Sequence, residues 1–143
     1  MKVAIGADHG GFELKEKVVN FLNENAIEVE DYGTDSLDSC DYNDIALNVS
    51  QAVRDQKVDR GILICGTGIG MSIQANKVEG VRAALVHDLF SAKATRLHND
   101  SNVLCMGGRI IGDEIAFAIT DIWLKTPFSH QERHVRRVNK IEK

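Results

Sequence analysis

Short apolar runs alternate along the chain with longer stretches in which apolar residues recur at helical spacing. The segments Lys2 to Ala7, Ile27 to Asp31, Gly61 to Cys65, Arg82 to Val86 and Asn102 to Met106 read as strands. Between them, Phe12, Leu14, Val18, Val19 and Leu22 keep to one helical face, as do Ile45, Val49 and Val53. Further helices are expected from about Gly70 to Asn76, Leu89 to Leu97 and Asp113 to Leu124, and a last one from about Gln131 to Ile141. Strand and helix alternate five times, and the strands are continuously apolar. That order predicts a doubly wound, Rossmann-like α/β fold: a five-stranded parallel sheet with helices on both faces. The single proline, Pro127, follows Trp123 and Leu124 where a helix should stop. The final helix therefore begins beyond a break and is expected to pack on a neighbouring subunit.

A length of 143 residues fits one domain spanning 1–143. The hydrophobic share of 43% and charged share of 27% exclude disordered and collagen-like classes. No apolar run approaches the roughly 18 residues that cross a bilayer, so no membrane partner is expected. Asp8 and His9 interrupt the apolar stretch that begins at Val3, which spoils a signal-peptide reading. Three unpatterned cysteines, Cys40, Cys65 and Cys105, suit the reducing cytoplasm. The net charge of −4 argues against nucleic acid as a partner. Charge is also unevenly spread. Eight carboxylates and no Lys or Arg lie between Glu24 and Asp44, whereas Ser129 to Lys143 holds five basic and two acidic residues. The C-terminal segment is thus a positive patch on an acidic body, suited either to a small anion or to plain solvation.

In open α/β sheets ligands bind beyond the carboxyl ends of the strands, and there the sequence is rich in chemistry. Asp8-His9-Gly10-Gly11 follows the first strand, Gly66-Thr67-Gly68-Ile69-Gly70 follows Cys65 on the third, and Gly107-Gly108-Arg109 follows the fifth. A glycine-rich turn opening a helix can cradle an oxyanion or phosphate with backbone N–H groups. Met71 stands where the dinucleotide fingerprint needs its third glycine, and the Gly-Lys-Ser/Thr of a P-loop is missing. Cys65 beside the helix start feels the positive end of its dipole, which favours a reactive thiolate, base or nucleophile. Its bland alternative is a small buried residue at a strand end; for Cys40 and Cys105 that alternative is preferred. Asp8 either serves a ligand or caps the first helix. His98-Asn99-Asp100 suits sugar hydroxyls or acid–base work, or is an ordinary polar loop. Arg133 and Arg137 share a helical face at i, i+4 and make either a phosphate clamp or a solvated basic face. His130 and His134 have zinc-helix spacing, but Gln131 replaces the glutamate and no Cys-x-x-Cys exists, so no metal or other cofactor is expected.

Several of these motifs, in this order, resemble one family. Ala7 to Lys15, Asp41-Tyr42, Gly61 to Gly70, Ala75-Asn76-Lys77, Arg82-Ala83, His98 to Leu104, Gly107-Gly108-Arg109 and Arg133-His134 are similar to the type B ribose-5-phosphate isomerases and their relatives, the galactose-6-phosphate isomerase subunits. The resemblance covers nearly the whole chain. It implies a metal-free aldose–ketose isomerase that works through a cis-enediolate on a sugar phosphate. By that resemblance Cys65 takes the proton from C2, Thr67 lies beside the reacting carbons, and the amides of Gly66, Thr67, Gly68, Ile69 and Gly70 steady the enediolate. Asp8 and His98 assist ring opening, Asn99 and Tyr42 hold hydroxyls, and His9, Arg109, Arg133 and Arg137 bind phosphate. Several of these would come from the neighbouring subunit of a homodimer or dimer of dimers with shared sites. Asn43 replaces a proline often found after Tyr42 in the family. Met71 replaces a carboxylate base that some relatives carry, which favours Cys65. His87 has no counterpart in the pattern and receives no role. Ribose 5-phosphate is the expected substrate; a six-carbon sugar 6-phosphate, galactose or allose, is the alternative. A noncatalytic nucleotide- or anion-binding module of flavodoxin-like architecture is the rival of another class. A mere binder would not need Cys65 beside Thr67 and His98.

Overall fold

The computed structural model describes residues 1–143. Five strands, β1 (Lys2–Ala7), β2 (Glu28–Asp31), β3 (Arg60–Cys65), β4 (Ala83–Leu85) and β5 (Val103–Gly107), alternate with α1 (Phe12–Glu24), α2 (Tyr42–Arg54), α3 (Ile69–Ala75), α4 (Leu89–Asn99), α5 (Asp113–Lys125) and α6 (Glu132–Ile141). All strand pairs are parallel, in the order β2-β1-β3-β5-β4. The α/β architecture expected from the hydrophobic pattern is the one observed.

Side chains of the central strands alternate between two layers, as the pleat requires. Val3, Ile5, Ile62, Ile64, Leu104 and Met106 face α1, α4 and α5, where Leu14, Val18, Leu22, Ile119 and Trp123 close the larger core. Ala4, Leu63, Cys65, Val103 and Cys105 face α2 and α3, against Val49, Val53, Met71 and Ala75. Trp123 is fully buried and donates its indole N–H to Ser101 Oγ at 2.9 Å. The two edge strands are the least buried: β2 is Glu-Val-Glu-Asp and β4 is Ala-Ala-Leu. No helix is long and apolar enough to cross a membrane.

Helix α6 packs against α4 of its own chain. His134 and Val138 form its buried face, while Arg133, Arg136 and Arg137 stay exposed. Ser129 N–H donates to the Leu97 carbonyl at 3.2 Å, and Ser129 Oγ lies 2.6 Å from His134 Nδ1. These bonds fix the start of α6 beside the end of α4.

Candidate active site

Strands β1 and β3 are neighbours whose chains leave toward opposite flanks of the sheet, so a crevice opens beyond their carboxyl ends. The loops there are locked together by backbone. Asp8 N–H donates to the Ile64 carbonyl at 3.2 Å, Gly108 N–H to Cys65 O at 2.8 Å and Arg109 N–H to Gly66 O at 3.0 Å. A Cβ on Gly10 would lie 2.9 Å from Gly66 N, so only glycine lets the β1 and β3 loops approach this closely.

Cys65 is the last residue of β3 and buried, and its Sγ accepts the Gly68 N–H at 3.0 Å. Gly68 holds a φ of +76° to aim that amide, a conformation that strains any residue with a Cβ. Thr67, exposed, takes the Ile69 N–H on its Oγ1 at 3.3 Å. Two of the five amides expected to face a ligand are therefore turned to Cys65 and Thr67. The phenol end of Tyr42, the first residue of α2, lies against Gly70, where a Cβ would come within 2.7 Å of Tyr42 Cζ. The exposed Arg109 lays its guanidinium beside Gly66, Nη1 being 3.2 Å from the site of a Cβ there.

Asp8 is 7% exposed and accepts the Gly10 N–H on Oδ1 at 2.8 Å. It closes its own turn and does not cap α1, whose N-cap is Gly11 without a side-chain bond. One carboxylate oxygen remains for a ligand. His9 accepts the Cys40 N–H on Nδ1 at 3.3 Å, leaving Nε2 as its outward nitrogen. Cys105 lies on the same face one strand away, and burial, reinforced by Cys65, pushes its thiol well above the ordinary range. It stays a neutral packing group. The cluster at this end thus joins Asp8, His9, Tyr42, Cys65, Gly66 to Gly70 and Arg109.

His98, Asn99, Arg133 and Arg137 lie elsewhere. Helix α4 runs antiparallel to the strands, so its last residues, His98 and Asn99, reach the amino end of β5. β5 has five residues, whose four steps of about 3.3 Å put roughly 13 Å between its two ends. A separation the length of β5 therefore parts Cys65 from His98 within one chain. Its physical reason is the connection between two parallel strands, β4 and β5, which must carry the chain back to the sheet's amino end. At that end His98 is exposed and its ring lies 4.6 Å from that of His134, tilted by 43°. Burial, with His98, Arg133 and Arg137 nearby, holds His134 below the ordinary histidine pKa. Asp100 turns the chain in the left-handed region and is gripped by Arg82 at 3.2 Å and Arg96 at 2.8 Å. A histidine, an amide and two guanidiniums are thus exposed at this end of the molecule.

A family profile described as Ribose/Galactose Isomerase matches residues 3–141. The chain belongs to the ribose/galactose isomerase family. It is 54% identical over 142 residues to the putative sugar phosphate isomerase YwlF of Bacillus subtilis, covering 99% of this chain and 95% of that one. It is 47% identical over 140 residues to ribose-5-phosphate isomerase B of Escherichia coli, covering 98% and 93%. The crystal structure of ribose-5-phosphate isomerase B from Mycoplasma genitalium, with bound ribulose-5-phosphate, superposes with a TM-score of 0.93 at 40% identity, covering 99% and 93%.

Three residues of this isomerase fold that the sequence left without a role support one or other of these two clusters. Lys15, 1% exposed, binds Asp31, whose other oxygen takes the Gly33 N–H at 2.8 Å. Ala7 and Gly33–Thr34 also exchange backbone bonds, so the β2–α2 connection that delivers Cys40 and Tyr42 is tied to β1. A buried lysine cannot be told from an exposed one by local pattern, since Glu13, Glu16 and Lys17 flank it. His134 supports His98 through the packing of α6. His87 lies at the end of β4, and its place directly after a strand was the available signal.

Proposed function

We propose that the chain is a single sugar-phosphate isomerase domain that interconverts ribose 5-phosphate and ribulose 5-phosphate through a cis-enediolate. The site is shared between two copies of the chain. Family membership and the names of the relatives support the reaction class and substrate. One observation carries the shared site: the thiol and cradle occupy the carboxyl end of the sheet, and His98, Asn99, Arg133 and Arg137 occupy the other. Only a second copy can bring the halves together, and a two-fold axis then makes two equal sites. Ile69, Ile73, Leu85, Leu89 and Phe90 are exposed around α3, β4 and the start of α4, an apolar surface suited to such a contact.

In this reading Asp8 and His98 of the second copy open the sugar ring, one relieving the hydroxyl of its proton and the other protonating the ring oxygen. Cys65, oriented by the Gly68 N–H, accepts the C2 proton and returns it to C1. The cradle's remaining amides and Thr67 stabilise the enediolate oxygens as charge develops. Tyr42 and Asn99 hold hydroxyls, and His9, Arg109, Arg133 and Arg137 hold the phosphate. No step calls for a metal or cofactor. Three free cysteines fit a cytoplasmic location.

The test mixes two inactive proteins, Cys65→Ala and the double variant Arg133→Ala, Arg137→Ala, under conditions of subunit exchange. Each mixed dimer should regain one intact site, about half of native activity per mixed dimer. No recovery despite demonstrated exchange would return clamp and thiol to one chain. A panel of sugar phosphates checks the substrate, and preference for galactose or allose 6-phosphate would overturn the five-carbon assignment.

A further inference from the structure

At the carboxyl end of the sheet, His87 is a titratable side chain that the reaction leaves without a role. Strand β4 pairs with β5 only as far as Leu85, and Val86 N–H makes the last backbone bond of that edge, to the Cys105 carbonyl at 3.0 Å. In a parallel ladder the next donor is the N–H two residues on, at Gly107, and its acceptor would be the carbonyl of Val86. The chain leaves the sheet there. Gly107 N–H instead donates to His87 Nε2 at 2.9 Å.

Gly107 is where the parts of the site converge. It pairs with Cys65 across the sheet, and a Cβ on it would lie 2.8 Å from the Thr67 carbonyl group. Its own carbonyl accepts Ile110 N–H at 3.0 Å, opening the turn that presents Arg109. Gly68 in turn rests against Leu85 of β4 and the Met106 backbone. The last residue of β5 therefore forms the floor beneath Thr67 and Gly68. An acceptor at Nε2 requires the imidazole to be neutral with its proton on Nδ1. Partial burial holds the ring below the ordinary histidine pKa, against the opposing pull of Asp88, and so keeps that acceptor available.

We propose that His87 is a positioning residue of the isomerase site: its imidazole replaces the strand backbone missing at the end of β5 and thereby fixes Gly107, the floor of the cradle and the Arg109 turn. Its effect on turnover rests on the isomerase reading, but its effect on Gly107 does not. Glutamine can place Oε1 where Nε2 stands, whereas leucine offers no acceptor and asparagine is too short to reach.

The test compares His87→Leu, His87→Gln and His87→Asn with the wild type. Amide hydrogen exchange at Gly107, read by NMR, should be about tenfold faster in His87→Leu and close to wild type in His87→Gln. With ribose 5-phosphate, kcat should fall about 10- to 100-fold in His87→Leu and within about threefold in His87→Gln, while KM changes less than about threefold in both. If His87→Leu does not fold, His87→Asn replaces it with the same expectations. Wild-type exchange at Gly107 without the imidazole would overturn the proposal, as would unchanged kcat, or a glutamine variant as impaired as the leucine. Were the wild type inactive on every sugar phosphate, the isomerase reading would fail and the exchange measurement would still decide the role of His87.

Discussion

Gly68→Ala tests whether the cradle is built as described, because Gly80 supplies an internal control. Both glycines hold nearly the same backbone conformation, with φ of +76° and +78°. A Cβ at Gly80 would meet nothing within 4 Å, whereas at Gly68 it would lie 2.6 Å from Leu85 Cδ1, 2.8 Å from Met106 C and 2.9 Å from Met106 O. Gly80→Ala therefore measures the cost of a left-handed residue alone, about 1–2 kcal/mol. Gly68→Ala adds an overlap with backbone that cannot rotate away, and overpacking of this kind costs about 1–3 kcal/mol more. At roughly 2–4 °C per kcal/mol for a chain of this size, Gly80→Ala should lower Tm by about 2–8 °C and Gly68→Ala by clearly more. Thermal unfolding by circular dichroism reads both. Turnover separates them further: shifting Gly68 moves the amide donated to Cys65 Sγ, so kcat should fall by about 100-fold in Gly68→Ala and remain near wild type in Gly80→Ala. Equal Tm losses in the two variants, or native kcat in Gly68→Ala, would refute the argument that β5 and the cradle are in forced contact.

Three further outcomes are expected. Cys65→Ala should lower kcat by several orders of magnitude while leaving phosphate binding intact, measured as unchanged competitive inhibition by inorganic phosphate; near-native turnover would remove the thiol from the reaction. Free ribose should be a far poorer substrate than its 5-phosphate, by about 10²- to 10⁴-fold in kcat/KM for two arginine contacts of about 1.5–3 kcal/mol each, and comparable values would exclude a phosphate clamp. Stability should decline as pH falls below about 6.5, because His87 and His134 are held below that value in the folded chain by burial and the unfolded chain takes up protons first. A Tm profile between pH 8 and 5 that is no flatter in His134→Asn would show that His134 contributes nothing to this loss.

The elements themselves were legible because each is a local pattern. Strand β1 is Lys2–Ala7 both by pattern and in space, and the remaining strands differ from expectation by a single residue, at one end in β2 and β3 and at both ends in β4 and β5. Those differences arise because a strand's ends are set by which residues pair across the sheet: Gly107 pairs with Cys65 and so belongs to β5, whereas β4 pairs with β5 only from Ala83 to Leu85. The glycine motif after Cys65, the Asp8-His9 turn and the Arg109 turn were readable for a simple reason. A parallel sheet places every strand's end on the same side, so residues following β1, β3 and β5 must converge.

What the sequence alone could not determine is which end of the sheet each polar group reaches. His98, Asn99, Arg133 and Arg137 carry the right chemistry, and residue types hold no record of which end of the sheet they reach. That depends on the crossover returning α4 to the amino end of β5 and on α6 docking there through His134. The strand order was equally hidden. The insertion of β5 between β3 and β4 follows from long-range pairing of Gly61–Cys65 with Val103–Gly107, and it leaves the short β4 at the edge. The role of Lys15 and the acceptor at His87 belong to the same class. Each depends on a group remote in sequence, Asp31 in one case and Gly107 in the other, and only the folded chain brings these pairs within bonding distance.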